Sequence, residues 1–170
     1  LLFIKPLPLF FLLLSGKRGI FVPMNTTETL KNENIDPEIE ARIRKVCEDP
    51  AHLFNGGFGM RLVEAKKGYV RAEVWLKEEH LNHMGTAHGG LYLTMADVIG
   101  GCAASTSGAG PITTSSCHFN FLRATRPESR KVIAEGFVVK AGKRLLVSEV
   151  RFSDDTGRLL ATSLYEYACL

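Results

Sequence analysis

The chain has 170 residues, of which 45% are hydrophobic and 23% are charged, and its formal net charge is +3. This length fits one domain with a sizeable core and leaves no room for a second catalytic domain. The positive charge is spread along the chain, without the long basic block or aromatic ladder that favours a nucleic-acid groove, so we expect no nucleic-acid partner.

The first 14 residues are nearly all apolar, but a lysine and two prolines interrupt them, and the run is shorter than a membrane-spanning helix requires. We therefore expect no stable membrane insertion. Basic residues follow the run, which is the reverse of a secretory signal. We interpret residues 1–35 as an N-terminal extension, flexible or not part of the working protein, and residues 36–170 as the folded domain. We expect a cytoplasmic location, with a mitochondrial one as the alternative.

The four cysteines are far apart and form no C-x-x-C pair, which argues against a disulfide framework and against a thiolate zinc site. We expect reduced thiols. Cys102 and Cys117 fall in largely apolar runs, so we predict that both are small core residues.

A short amphipathic helix is predicted after residue 35. Asp36 can cap its N-terminus, and Pro37 suits the first helical turn. Apolar residues recur at helical spacing within 39–46, and Pro50 ends the segment.

From Met60 onward the pattern changes to the alternation of half-buried strands, with glycine-containing turns that join antiparallel neighbours. One long helix, at residues 88–105, interrupts the strands. An antiparallel sheet with one long helix is an α+β arrangement. The predicted strands cover residues 60–66, 69–76, 112–122, 131–140, 145–153 and 159–168.

Apolar side chains cover most of the circumference of the long helix, as expected when a sheet wraps around it. Asp97 is its only formally charged residue between His88 and Ser105, and we predict that it is buried. A buried carboxylate is costly unless it is paired or used. Two interpretations stay open: a carboxylate bonded to a nearby hydroxyl or helix end, or a catalytic group.

The spacing of His88 and Asp97 hints at a site shared between subunits. Nine residues of helix give about 13 Å of rise, with side chains on roughly opposite faces. A helix that opens at Gly89-Gly90 would direct free backbone N–H groups at a developing oxyanion. If both ends of this segment serve one site, Asp97 must come from a second subunit.

Other chemistries find less support. His80, His83 and His88 could suggest a metal site, but their spacing matches no familiar ligand pattern, and we expect neither a metal nor a cofactor. The chain has no G-x-S-x-G elbow, no Walker loop and no G-x-G-x-x-G fingerprint.

Residues 82–90, which read Asn-x-x-Gly-x-x-His-Gly-Gly, together with Asp97 carry a family resemblance. In combination they are similar to the hotdog-fold acyl-CoA thioesterases of the phenylacetate-pathway type, over approximately residues 50–168. The resemblance implies a hotdog fold, in which an antiparallel sheet wraps a long central helix. It also implies an acyl-CoA substrate and assembly into a homodimer or homotetramer.

The resemblance further implies roles for individual residues. The backbone N–H of Gly89 would polarise the thioester carbonyl, Asn82 and His88 would shape the site, and Asp97 of the partner subunit would act as base or nucleophile. Thr114 would position water, with Ser115 as a close rival. The remaining candidates are substrate-binding residues: Gly90, Ser115, Arg123, Lys143 and Arg144. Two interpretations of the three cationic side chains stay open, contact with coenzyme A phosphates or a solvated surface face.

We therefore predict an acyl-CoA thioesterase that releases a free acid and coenzyme A. Two alternatives stay open: a non-catalytic acyl-CoA-binding protein of the same fold, and a hotdog hydratase or dehydratase.

Overall fold

The computed structural model describes residues 20–21, 34–51 and 54–170. The apolar run at the start of the chain and nearly all of the predicted N-terminal extension lie outside these ranges. Within them, no helix is long and apolar enough to cross a membrane.

The first helix, α1, spans Pro37–Glu48, as its pattern predicted. The Asp36 carboxylate accepts a hydrogen bond of 2.8 Å from the backbone N–H of Glu38, so it satisfies one of the free donors of the first turn. Ile43 and Cys47 are buried on the inner face of α1.

A long helix and an antiparallel sheet form the rest of the described chain. Its elements are β1 (Ile20–Phe21), β2 (Met60–Lys66), β3 (Tyr69–Trp75), α2 (Gly89–Ser105), β4 (Ile112–Phe121), β5 (Lys131–Ala141), β6 (Leu145–Asp154) and β7 (Leu159–Cys169). The sheet order is β2-β3-β5-β6-β7-β4, and the short strand β1 pairs with β5. The predicted α+β arrangement is confirmed, and all six predicted strands are confirmed to within one residue at every end. Two 3-10 turns were not predicted, at Asn55–Phe58 and Glu78–His80.

The inner face of α2 forms the centre of the core. Met95, Ala96 and Ile99 have no exposed surface. A Cβ on Gly100 would clash with the Tyr167 hydroxyl, so the glycine allows the sheet to approach the helix closely. The helix continues through this position because packing against the sheet compensates for its low helix propensity.

The opposite face of α2 is left open. Leu93, Asp97 and Gly101 follow one another at four-residue spacing; Leu93 is 39% exposed, Asp97 is exposed and Gly101 is partly exposed. The prediction that Asp97 is buried is wrong. The sheet covers one side of the helix and ends before it reaches this stripe.

Within the described part of the chain, strand β4 lies at the edge of the sheet and pairs only with β7. Most of its side chains are therefore exposed, including Cys117. The prediction of a core position is wrong for Cys117, whereas Cys102 is buried in α2. The apolar character of a strand did not reveal that the strand lies at an edge.

Candidate active site

The carboxylate of Asp97 is held by a side chain from the edge strand. Thr114 Oγ1 donates a hydrogen bond of 2.6 Å to Asp97 Oδ1. The β4 register shifts between Thr114 and Ser116, and Ser115 Oγ instead donates to the backbone oxygen of Glu166 at 3.1 Å. Of the two rival residues, Thr114 is the one that contacts Asp97.

A second contact holds the helix backbone at this point. The buried Tyr167 hydroxyl donates to the backbone oxygen of Asp97 at 3.2 Å. Burial, and next the nearby Asp97 carboxylate, raise the pKa of Tyr167, so its hydroxyl stays protonated and donates. No sequence motif marked Tyr167, since its role depends on a contact between residues 70 positions apart.

An apolar cavity of about 560 Å³ lies beside Asp97 and Thr114. This volume is in the range of roughly 300–1,000 Å³ that small-molecule sites occupy. Its walls come from the open stripe of α2, from the start of β4 and from α1. The wall includes Ile43, Val46, Val98, Gly101 and Cys102. The sequence predicted α1 as a helix, but nothing in its pattern indicated that it lines a cavity.

A backbone donor is available at the other end of this region, where α2 begins. His88 caps the helix, and its Nδ1 accepts a hydrogen bond of 2.9 Å from the Gly90 N–H. No acceptor for the Gly89 N–H lies among the described residues. The N-terminus of a helix carries partial positive charge, so Gly89 can donate to an oxygen that gains negative charge.

Asn82 organises the loop that leads into α2. Its Oδ1 accepts from the backbone N–H groups of Met84 (2.9 Å) and Thr86 (3.2 Å), and its Nδ2 donates to Thr86 Oγ1 at 2.9 Å. Gly85 turns the loop at φ +72°, which favours glycine. The Asn82 amide is thus occupied by the loop, although the residue also lines a cavity with Gly89.

This second cavity has a volume of about 380 Å³ and is lined by one of the three cationic residues that are candidates for binding coenzyme A phosphates. Arg123 lines it and donates from Nη1 to the backbone oxygen of Leu159 at 3.0 Å. Phe121 also lines it, and its ring lies 3.4 Å from the position that a Cβ on Gly89 would take. Lys143 and Arg144 lie on the exposed turn between β5 and β6 and line neither cavity.

The two groups of candidate residues are separate within one chain. Gly89 and Asp97 are eight residues apart on the same helix, which corresponds to about 12 Å along its axis. They line different cavities. A single chain therefore holds Thr114 with Asp97 in one place, and Asn82 with Gly89 in another.

The three clustered histidines do not form a metal site. Among the described residues, no group of three or more His, Cys, Asp or Glu side chains could hold a metal ion. His80 is buried, and its Nδ1 accepts a hydrogen bond of 3.1 Å from the Lys77 N–H. Burial lowers the pKa of His80, in keeping with a neutral structural role.

Comparisons with known proteins agree with this architecture. Residues 84–161 match the family described as the thioesterase superfamily. Human acyl-coenzyme A thioesterase 13 is 31% identical over 102 residues, which cover 59% of this chain and 72% of that protein. Zebra fish thioesterase superfamily member 2 superposes with a TM-score of 0.68 at 24% identity, over 78% of this chain and 96% of that one. A hypothetical thioesterase of Streptococcus pneumoniae, solved with coenzyme A, has a TM-score of 0.61 at 22% identity, over 65% and 85% of the two chains.

The fold is that of the hotdog thioesterases, with a long helix packed on an antiparallel sheet. The chain belongs to the thioesterase superfamily. The family resemblance carried by residues 82–90 and Asp97 is thereby confirmed.

Proposed function

We propose that this protein hydrolyses acyl-CoA thioesters to a free acid and coenzyme A, with Asp97 as general base or nucleophile. The observation that carries the proposal is the 2.6 Å hydrogen bond between Thr114 and Asp97 beside an apolar cavity. Coenzyme A as the thiol carrier is supported by the name of the human relative and by the coenzyme A in the pneumococcal structure.

We propose that the oxyanion donor comes from a second copy of the chain, so the working unit is at least a homodimer. Both Thr114 and Phe121 lie on β4, seven residues or roughly 23 Å apart, and the Phe121 ring lies next to Gly89. Antiparallel pairing of two exposed β4 edges would bring Thr114 of one chain towards Phe121 of the partner subunit. Two identical composite sites would result, as a two-fold axis requires.

In the proposed reaction, Asp97 removes a proton from a water molecule that Thr114 helps to orient, and the water oxygen attacks the thioester carbonyl carbon. The carbonyl oxygen gains negative charge and accepts a hydrogen bond from the N–H of Gly89 of the partner subunit. The carbonyl re-forms as the carbon–sulfur bond breaks, and the coenzyme A thiolate leaves and takes up the proton that Asp97 removed from the water. In the nucleophilic variant, an Asp97 oxygen attacks the same carbon, the carbon–sulfur bond breaks with loss of the coenzyme A thiolate, and water cleaves the resulting anhydride to the free acid and the Asp97 carboxylate.

The remaining candidates keep supporting roles in this proposal. Asn82 and His88 hold the loop and the helix start in shape, and Gly90 allows the substrate to approach the helix N-terminus. Arg123 is proposed to meet coenzyme A phosphate, because it lies in the same cavity as Gly89. Three further candidates have weaker support: Lys143 and Arg144 are surface cations of one turn, and Ser115 donates its hydrogen bond to the Glu166 backbone and not to Asp97.

Incubation of the purified protein with a panel of acyl-CoAs and a thiol reagent tests the activity. Release of thiol supports hydrolysis, hydration of an enoyl-CoA without thiol release supports a hydratase, and binding alone supports an acyl-CoA-binding protein. Asp97→Asn should lower turnover by at least about 10³-fold. Because Asp97 is exposed, the free energy of unfolding of this variant should stay within about 0.5 kcal/mol of the wild-type value. Asp155→Asn, the same change at an exposed hairpin position, is the matched control.

A mixing experiment tests the shared site. Gly89→Pro removes the proposed donor N–H, and proline suits the first helical position, while Gly89→Ala keeps the donor as a control. Each single variant should be inactive alone, but heterodimers of Asp97→Asn and Gly89→Pro chains regain one intact site. A refolded equal mixture should recover about one quarter of wild-type activity. An inactive mixture in which heterodimers are demonstrated would refute the shared site.

A single turnover in ¹⁸O-labelled water tests whether Asp97 is the nucleophile. If Asp97 is the nucleophile and water opens the anhydride at the Asp97 carboxyl carbon, label enters the Asp97 carboxylate, which mass spectrometry of the digested protein detects. Label only in the free acid is the result expected of a base, and it excludes attack of water at the Asp97 carboxyl carbon.

A further inference from the structure

We infer that the cavity beside Asp97 receives the acyl chain and that the missing side chain at Gly101 determines how long a chain it accepts. This inference rests on the proposed hydrolysis at Asp97, because the reacting carbonyl must lie next to that carboxylate. It adds a specificity-determining position and a substrate class, namely straight-chain acyl groups of medium to long length.

Gly101 lies one helical turn beyond Asp97 on the same open stripe, about 6 Å further along the axis. Both residues line the cavity, together with the apolar side chains of Val98 and Cys102. A chain whose carbonyl is at Asp97 and whose tail enters this cavity must pass Gly101.

The neighbouring glycine shows why Gly101 needs a separate explanation. A Cβ on Gly100 would clash with the Tyr167 hydroxyl and lie 3.2 Å from a Val150 methyl, so close packing requires glycine there. The three atoms nearest to a Cβ on Gly101 would all belong to the Tyr167 ring and hydroxyl, at 3.4 Å or more, which is ordinary contact. Glycine weakens a helix relative to alanine, and at Gly101 packing does not require it. We attribute the glycine at position 101 to the cavity, which a side chain there would fill.

The far wall of the cavity comes from α1. Ile43 is 2% exposed, and Val46 is partly buried against the core. A methylene group is about the size of a water molecule, which occupies roughly 30 Å³ in the liquid, so about 560 Å³ corresponds to on the order of twenty methylene groups and leaves room for a straight chain of medium to long length. An acetyl group would leave most of this space unfilled.

The test compares kcat/KM for dodecanoyl-CoA with that for butanoyl-CoA, so that each variant supplies its own reference. Gly101→Leu should lower the ratio, by about fourfold for every methylene that it excludes from the cavity. Gly101→Ala should have a smaller effect. Val46→Phe fills the same cavity from α1 and should act in the same direction, which keeps the test informative if Gly101→Leu does not fold. Ala41→Leu adds a leucine at an exposed position of α1 outside the cavity and is the control.

Binding of S-alkyl-CoA thioethers, which cannot be hydrolysed as thioesters, separates this inference from the proposed function. Isothermal titration should show that wild-type affinity increases with alkyl length and that Gly101→Leu removes the increase beyond short chains. If thioether binding follows this pattern but the protein hydrolyses no acyl-CoA, the inference is supported and the proposed function is refuted. Hydrolysis with an unchanged chain-length ratio in both cavity-filling variants would overturn the inference and leave the function standing. Thioether affinity that does not depend on chain length in the wild type would also overturn it.

Discussion

Thr114 on the edge strand donates a hydrogen bond of 2.6 Å to Asp97 on the central helix. The bond joins an exposed strand to the open stripe of α2 and limits the rotamers of the carboxylate. Because Asp97 is exposed in the single chain, this contact and not burial gives its side chain a defined position. A defined position is what a base or nucleophile needs, since misplaced catalytic groups lose much of their effect.

Thr114→Val should therefore lower kcat by about 10- to 100-fold, the range expected for a hydrogen bond to a charged group. Thr114→Ser keeps the hydroxyl and should retain most of the activity. Ser115→Ala removes a contact to the Glu166 backbone and should have a much smaller effect than Thr114→Val. Steady-state thiol-release assays measure all three. A larger loss of activity for Ser115→Ala than for Thr114→Val would show that Ser115, and not Thr114, positions Asp97.

His88→Ala should lower the free energy of unfolding by about 1 kcal/mol, because the helix loses the Nδ1 acceptor that caps Gly90. Asparagine is a good N-cap residue, so His88→Asn should recover most of that stability. Urea unfolding measures the change, and kcat measures whether activity follows the cap. If His88→Asn is as stable as the wild type but inactive, the imidazole has a chemical role beyond the cap.

Gly100→Ala should destabilise the protein by about 1–3 kcal/mol, the usual cost of overpacking a core. The new methyl group would meet the Tyr167 hydroxyl, and this hydroxyl also donates to the Asp97 backbone, so turnover should fall as well. Gly101→Ala is the matched control on the next residue, and it should be neutral or stabilising by up to about 1 kcal/mol. Equal unfolding free energies for the two variants would contradict the packing described for Gly100.

Asp154 contributes to stability in a way that depends on pH. It is fully buried, and burial by itself raises its pKa. Hydrogen bonds from Thr156 and Arg158 outweigh the burial and lower the pKa of Asp154 to about 2 from the ordinary value of 3.8. A carboxylate with a lowered pKa in the folded state stabilises the fold above the unfolded-state pKa, and this contribution disappears as the pH falls towards the folded-state pKa.

The expected contribution is about 2 kcal/mol at neutral pH, present above about pH 4 and lost between about pH 4 and pH 2. Urea unfolding of the wild type and Asp154→Asn, at several pH values from 6 downward, measures it. The difference between the two proteins should be constant near neutral pH and should shrink below about pH 4. A difference that stays constant to pH 2 would show that the carboxylate charge contributes nothing.

Much of the secondary structure was predictable from the sequence, because it depends on residues that are close along the chain. The Asp36 cap and the start of α1 are examples, and α2 begins one residue after its predicted start. The Asn82 to Asp97 segment was also recognisable, since its polar residues and glycines have fixed separations in one continuous stretch.

The tertiary structure alone decided the surroundings of these residues. Whether Asp97 is buried depends on where the sheet ends, and the choice of Thr114 over Ser115 depends on a register shift in β4. The contact of Tyr167 with α2, and the wall that α1 adds to the cavity, join segments that are far apart in sequence. Local sequence patterns do not predict such contacts, because the energy of packing depends on which distant surfaces meet.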